Sequence, residues 1–459
     1  KIMNVENEQG LAISAKQKRK LLGHLLRQQT APITIDYPLS QGQLALWFIY
    51  KMYRQSPAYN IMCAAHVRAD VDCQALQQAF QTLIRRHATL RTTYATVDDV
   101  PVQRVHLDWE VQLNMLDRRG FTGQQFSQCL EQEANRPFDL ECGPVFRIQL
   151  LQQSGPTWVL LFTAAHIATD FWSFDLLLDE LKQLYRANMR GTARQHSADH
   201  AITSQEQQAR PAQLKHFYRD YVEWQSKMLN GPAGARLWDY WREQLAGELP
   251  SLDLPTDNPR PPLQSYQGRS YLFRLPDRLT RRLFSLARDE NATPFMTLLA
   301  AFQILLYRYS GQHDILVGSP TAGRSHAEFE PLVGYFLNPV VFRCKLQPEV
   351  SFRQFLSQVR QTVLDGLTHQ DFPFSLLVEQ LQPRRDPSRT PVFQASFSWD
   401  KPRTEFTLDE TRRTAGGAQS EQLATFKTPV DPTDLGLRPF ALGQQGAAFD
   451  LTLMMLSTD

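Results

Sequence analysis

The stretch LLFTAAHIATDFWSF, residues 160–174, is an apolar run that breaks into His166, Asp170 and Trp172, with Ala165 immediately before the histidine. Its apolar part reads as a buried strand. After Asp170, Ser173 is a candidate cap for a helix whose face is Phe174, Leu177, Leu178, Leu181, Leu184 and Tyr185, with Gly191 as its stop. A histidine at the end of a buried strand, just before a helix, is held by rigid elements yet reaches the sheet edge. That position suits an acid–base or orienting group. The spacing alone also fits a satisfied core histidine. Asp170 either pairs with an arginine to orient the loop or acts on its own.

Working outward, TWVLLFTAAH and VFRIQLLQ read as adjacent strands around a Ser-Gly-Pro turn. YNIMCAAHVRA is a further strand, and CQALQQAFQTLIRRHATLR a helix with Leu76, Ala79, Phe80, Leu83, Ile84 and His87 on one face. PVQRVHLDWEVQLN supplies strand material. Residues 13–28 read as a basic amphipathic helix ahead of the main fold, a linker or docking element, and residues 190–212 as a polar surface loop. Trp-rich helical sequence and a proline-rich connector follow. The second half repeats the mixture: RSYLFRLP as a strand, DRLTRRLFSLARDEN as a helix, and Thr293-Pro294 opening another helix. DILVGSP, VVFRCKL and FQASFSWD are strands, and Ser351 starts a helix to about His369. The expected class is α/β, with two lobes of similar element order. The divisions fall at 1–35 (linker), 36–195 (first lobe), 196–265 (polar loop and helical connector) and 266–459 (second lobe).

Bulk properties narrow the function. The 459 residues are 42% hydrophobic and 21% charged, and 49 basic against 47 acidic residues leave a net charge of +2. That balance argues against nucleic acid as the main partner. Cys63, Cys73, Cys129, Cys142 and Cys344 show no metal-type spacing and read as reduced thiols of a cytoplasmic protein. No apolar run is long enough to suggest a membrane span. There is no G-x-S-x-G elbow, phosphate loop, H-E-x-x-H or G-x-G-x-x-G, so a covalent serine mechanism, a metal and a nucleotide cofactor lack support. An enzyme with this sequence acts directly between two bound substrates.

Seven segments in order carry a resemblance: YPLSQGQLALWF (37–48), RRHATLRTTY (85–94), HIATDFWS (166–173), ILVGSPTAGR (315–324), VGYFLNPVVFR (333–343), HQDFPFSLLVEQL (369–381) and RDPSRTPVFQASFS (385–398). Together they resemble the condensation domains of nonribosomal peptide synthetases. The resemblance implies two chloramphenicol-acetyltransferase-like lobes in a V-shaped pseudo-dimer, with the active site in a tunnel between them. It implies amide formation by attack of a carrier-bound aminoacyl amine on a carrier-bound donor acyl thioester, within a larger multidomain synthetase, either nonribosomal or hybrid polyketide/peptide. The domain itself is expected to bind no cofactor. The partners are an upstream donor carrier protein and a downstream acceptor carrier protein, each presenting its substrate on a phosphopantetheine arm; nucleic acid and membrane are not expected.

The family's HHxxxDG motif falls on residues 165–171. The resemblance gives the catalytic role to His166 and a structural role to Asp170, paired with Arg324 or, second choice, Arg91. Asn338, Trp172 and Ser319 are expected to line the tunnel, with a turn-forming asparagine as the other reading of Asn338. Ser40, Gln41 and Trp47 are read as packing, and Arg389 and Phe393 as support of the second lobe. Two positions depart from the pattern: Ala165 stands where the first histidine is usual, and Phe171 where glycine is usual. Ala165 therefore supports a second expectation, a degenerate module that binds carrier proteins or a tailoring enzyme without chemistry. The FDLTLMMLSTD ending looks like a strand short of the family's usual end.

Overall fold

The computed structural model describes residues 33–153, 157–195, 211–271, 273–384, 386–400, 433–440 and 446–456. The amphipathic segment 13–28 and most of the polar loop lie outside the described residues. Two apolar cores organise the rest.

The first core lies on a five-stranded sheet. Its strands are β2 (Asn60–Val67), β5 (Asn114–Asp117), β6 (Phe146–Gln152), β7 (Trp158–Ala165) and β11 (Arg438–Pro439), in the order β11-β2-β7-β6-β5. Neighbours are antiparallel except β5 and β6. β7 is central and buried on both faces, which is why it reads as a continuous apolar run. Helices α2 (Cys73–Arg86) and α4 (Phe171–Gln195) pack on one another over this sheet. Phe80 and Phe174 sandwich Phe162 between them, the Phe162–Phe174 pair stacked at 4.7 Å. β11 comes from the segment assigned to the second lobe, so that part of the chain crosses back to extend the first sheet.

A three-stranded antiparallel sheet flanks this core: β1 (Thr34–Pro38), β4 (Val100–His106) and β3 (Thr92–Val97), in the order β1-β4-β3. Helix α1 (Gln41–Met52) follows β1 and starts in a capping box, with Ser40 and Gln43 exchanging side-chain-to-backbone hydrogen bonds. Helix α3 (Gly123–Ala134) covers the opposite face of the larger sheet through Phe126 and Leu130.

The second core lies on β8 (Asp314–Thr321), β9 (Asn338–Lys345), β10 (Ala395–Asp400) and β12 (Leu451–Leu456), in the order β12-β10-β8-β9. β10 runs parallel to both β8 and β12, and β8 is antiparallel to β9. Helices α8 (Pro294–Ser310), α9 (Phe352–Thr368) and α10 (Phe374–Leu381) bury Phe302, Leu306, Phe355, Leu356 and Leu377 against Val317, Phe342 and Phe397. Helices α5 (Tyr218–Leu229) and α6 (Pro232–Gln244) connect the halves, and α7 (Asp277–Asp289) precedes α8.

Four local expectations change. Helix α4 continues through Gly191 to Gln195, because glycine in a helix costs only about 1 kcal/mol and does not forbid it. The cap of α4 is Asp170: its carboxylate accepts the Ser173 N–H and its carbonyl the Phe174 N–H. Helix α2 ends at Arg86, where His87 leaves the helical conformation and a 3-10 turn begins. The segment 269–276 forms no strand among the described residues. Alternation gives a strand its capacity, but a ladder needs a neighbouring edge; Tyr271 is instead 89% exposed.

Candidate active site

His166 begins a 3-10 turn, His166–Ala168, directly after β7. Its backbone N–H donates to the Tyr59 carbonyl (2.8 Å), one step beyond the last ladder pair, Asn60 with Ala165. Within the turn the imidazole Nδ1 lies 2.8 Å from the Thr169 carbonyl. A carbonyl only accepts, so Nδ1 carries the proton and Nε2 keeps its lone pair. Burial pushes the His166 pKa below its ordinary value, while the Thr169 bond and the Asp170 charge pull it the other way. The ring is therefore neutral at pH 7. Tyr335 stands edge-on to it at 5.0 Å and Phe171 at 6.0 Å.

The turn is held from behind by two buried side chains. Gln43 Nε2 (3.2 Å) and the Tyr94 hydroxyl (3.0 Å) both donate to the Ile167 carbonyl. Gln43 and Tyr94 are buried, so each bond replaces hydration the carbonyl has lost.

Asp170 is fully committed. Its Oδ1 accepts from Ser173 N (2.8 Å) and Arg324 Nη2 (3.1 Å), and its Oδ2 from Arg324 Nη1 (2.8 Å) and Phe336 N (3.1 Å). The side chains of Arg324 and Asp170 are 1% and 3% exposed. Arg324 also donates to the Ser173 hydroxyl (2.8 Å) and the Leu332 carbonyl (3.1 Å), and its guanidinium lies 4.1 Å over the Phe336 ring. Ser173 in turn donates to the Gly334 carbonyl and accepts from its N–H. This network ties the start of α4 to the 322–336 segment of the other half. Asp170 has no oxygen left for substrate and acts as a brace. Gly323, at φ +63°, is required ahead of Arg324, because a Cβ there would collide with the Phe336 carbonyl oxygen.

The other expected residues fall as follows. Arg91 does not reach Asp170; it donates to the His106 carbonyl. Trp172 donates its indole N–H to the Glu330 carbonyl (3.0 Å), a further link between the halves. Asn338 donates to the carbonyls of Gln370 and Phe372 and accepts from Phe374 N, so its amide fixes the turn before α10. Ser319 is buried on β8 opposite Val340. Ala165 is 4% exposed and packs in the first core. Ser40 also bonds the Tyr218 hydroxyl, Gln41 N–H donates to Gln225, and Trp47 is buried. Arg389 donates to the Leu252 carbonyl and Asp253, and the Phe393 ring closes over Gly318. Sequence reasoning missed the Thr169 carbonyl, the Gln43–Tyr94 pair, Tyr335 and the bracing role of Ser173. Gln43, Tyr94 and Tyr335 lie inside the quoted motifs, but no spacing marks them.

Among the described residues no group of His, Cys, Asp and Glu is placed to hold a metal ion, and no helix is long and apolar enough to cross a membrane. The arrangement offers one neutral imidazole nitrogen beside two aromatic rings.

Comparison with known proteins bears on the family and the fold. The family model for the condensation domain matches residues 34–432. One of the linear gramicidin synthase proteins of Brevibacillus parabrevis is 41% identical over 400 residues, covering 85% of this chain but only 7% of that protein. The structure of a four-domain nonribosomal peptide synthetase bound to AMP and glycine superposes with a TM-score of 0.75 at 24% identity, over 92% of this chain and 30% of that one. The X-domain in its complex with OxyB from teicoplanin biosynthesis gives 0.74 at 24% identity, over 91% and 83%. These two likenesses speak for the fold alone. The family match over most of the chain settles the family: this chain is a member of the condensation domains of nonribosomal peptide synthetases.

Proposed function

We propose that the chain forms an amide bond between two thioester substrates, each carried on the phosphopantetheine arm of a carrier protein. The five-stranded and four-stranded sheets with their separate cores are read as the centres of two chloramphenicol-acetyltransferase-like lobes in a V, divided near residues 195 and 265. A tunnel between them is open to a donor carrier on one side and an acceptor carrier on the other. The work takes place in the cytoplasm, where the five cysteines, none of them in a disulfide, stay reduced.

The observation that carries this reading is the fixed tautomer of His166. Nδ1–H is spent on Thr169, so Nε2 is the nitrogen available to the acceptor amine. The amine attacks the donor carbonyl, the C–N bond forms and the C–S bond breaks. The nitrogen's surplus proton leaves with or for the departing thiolate. Nε2 either takes that proton or orients the amine and steadies the charged tetrahedral intermediate; either role needs a neutral ring in a fixed place. A burial-lowered pKa keeps it neutral. Asp170 contributes by holding the turn, and Ala165, in the apolar core, has no part in proton transfer.

A second reading, binding of a partner without chemistry, draws on Ala165, which stands where the first histidine of the motif is usual. Purified protein given a loaded donor carrier and a loaded acceptor carrier separates the two. The proposal expects an amide joined to the acceptor carrier. Carrier binding with no amide above the protein-free control would overturn it.

A further inference from the structure

A cavity of about 270 Å3 lies between β9 and α9, walled by Phe342 and Cys344 of β9, Phe355 and Val359 of α9, and Gln303 of α8. None of its lining residues belongs to the network around His166. β9 is the edge strand of its sheet, and the exposed Lys345 and Gln358 mark the mouth at that edge.

The walls are uncharged. Phe342, Phe355 and Val359 are buried, and burial pushes the Cys344 thiol up to about 12, so it stays protonated and unreactive at neutral pH. Arg343 alternates to the other face of β9, where it is tied to Asp314 and to the carbonyls of Ala246 and Glu248. Thr362 spends its hydroxyl proton on the Gln358 carbonyl. A charged ligand would find no counter-ion inside.

Gln303 is the exception in this wall. It is 1% exposed, and its Nε2 donates to the Phe342 carbonyl at 3.4 Å. That carbonyl can only accept, which fixes the orientation of the amide and leaves Oε1 buried without a partner. A buried acceptor in that state is costly. One water, at about 30 Å3, would satisfy Oε1 and leave most of the cavity unfilled between apolar walls. A cavity of about 150 Å3 already takes benzene, so this one has room for a fused two-ring molecule.

We propose that this cavity is a binding site for a small neutral aromatic molecule with one N–H or O–H donor, the class of indoles and phenols. The rings lie against Phe342, Phe355 and Val359, and the donor meets Gln303 Oε1. The site stands apart from His166, and its occupancy does not depend on how that residue acts.

The test is calorimetric titration of the purified chain with indole and with benzofuran, which has the same shape and no donor. Wild type should bind indole about tenfold more tightly, the difference that one buried hydrogen bond makes. Gln303→Leu should lose this discrimination, binding indole about tenfold more weakly and benzofuran no more weakly than wild type does. Val359→Phe fills the cavity from α9 and should abolish binding of both, with a thermal melt showing that the fold is kept. A crystal soaked in indole should hold it between β9 and α9. Should Gln303→Leu fail to fold, the two ligands on wild type and the Val359→Phe variant still decide the question. No binding of indole, equal affinity of wild type for both ligands, binding that survives Val359→Phe, or water alone at Gln303 in the soaked crystal would overturn the assignment.

Discussion

Replacing Arg324 with alanine removes the cation from a carboxylate that is 3% exposed and takes away two of the four hydrogen bonds Asp170 accepts. Ser173 N and Phe336 N remain, too little to offset a buried charge. Breaking a buried pair from one side costs about 3–5 kcal/mol. At about 2–4 °C per kcal/mol for a unit of 150–250 residues, the melting temperature should fall on the order of 10 °C. The assay is thermal unfolding of wild type, Arg324→Ala, Asp170→Asn and the double variant. With the charge already gone, the loss of Arg324 should cost much less, giving a coupling energy of about 2–3 kcal/mol. Two single effects that simply add, or an unchanged melting temperature for Arg324→Ala, would refute the bracing role.

The remaining expectations concern the same frame. The acid limb of single-turnover amide formation should have its midpoint below the ordinary histidine value of about 6.5, because burial lowers the His166 pKa; a midpoint above it would contradict the neutral ring. The linked stability has the same sign: a depressed histidine pKa leaves the fold unaffected above pH 6.5 and destabilises it as pH falls towards the folded pKa. Tyr94→Phe removes a buried hydroxyl from the Ile167 carbonyl and should cost about 1–2 kcal/mol in a melting experiment, Gln43 keeping the second bond. Gly323→Ala, forced to φ +63° with its Cβ against the Phe336 carbonyl, should destabilise at least as much as Tyr94→Phe and lower turnover by displacing Arg324. Ala165→His should bring no gain in turnover, because residue 165 packs in the core; added volume there should cost about 1–3 kcal/mol.

Periodicity made β7, α2, α8 and α9 legible, because each buries a continuous face and apolar spacing records burial directly. It also placed His166 at a strand end. It failed where an element depends on something distant. Residues 269–276 alternate like a strand, yet no described edge pairs with them; α4 passes Gly191 because packing on α2 outweighs one glycine. Arg324 as the partner of Asp170 lies 154 residues away, and only the resemblance singled it out over Arg91. The Thr169 carbonyl that sets the tautomer is a backbone atom, and nothing in a side-chain pattern encodes it. Serine favours a cap position, but Asp170 takes the cap and leaves the Ser173 hydroxyl to join the two halves.

The central claim is that the free nitrogen of His166 acts on the amine while its surroundings only hold it in place. The direct test is the single-turnover rate of amide formation by His166→Ala with both carriers loaded, beside its thermal melt. A rate lower by roughly a hundredfold to ten-thousandfold in a protein that still folds is the expected result. Amide formation at the wild-type rate by a folded His166→Ala protein would contradict the account.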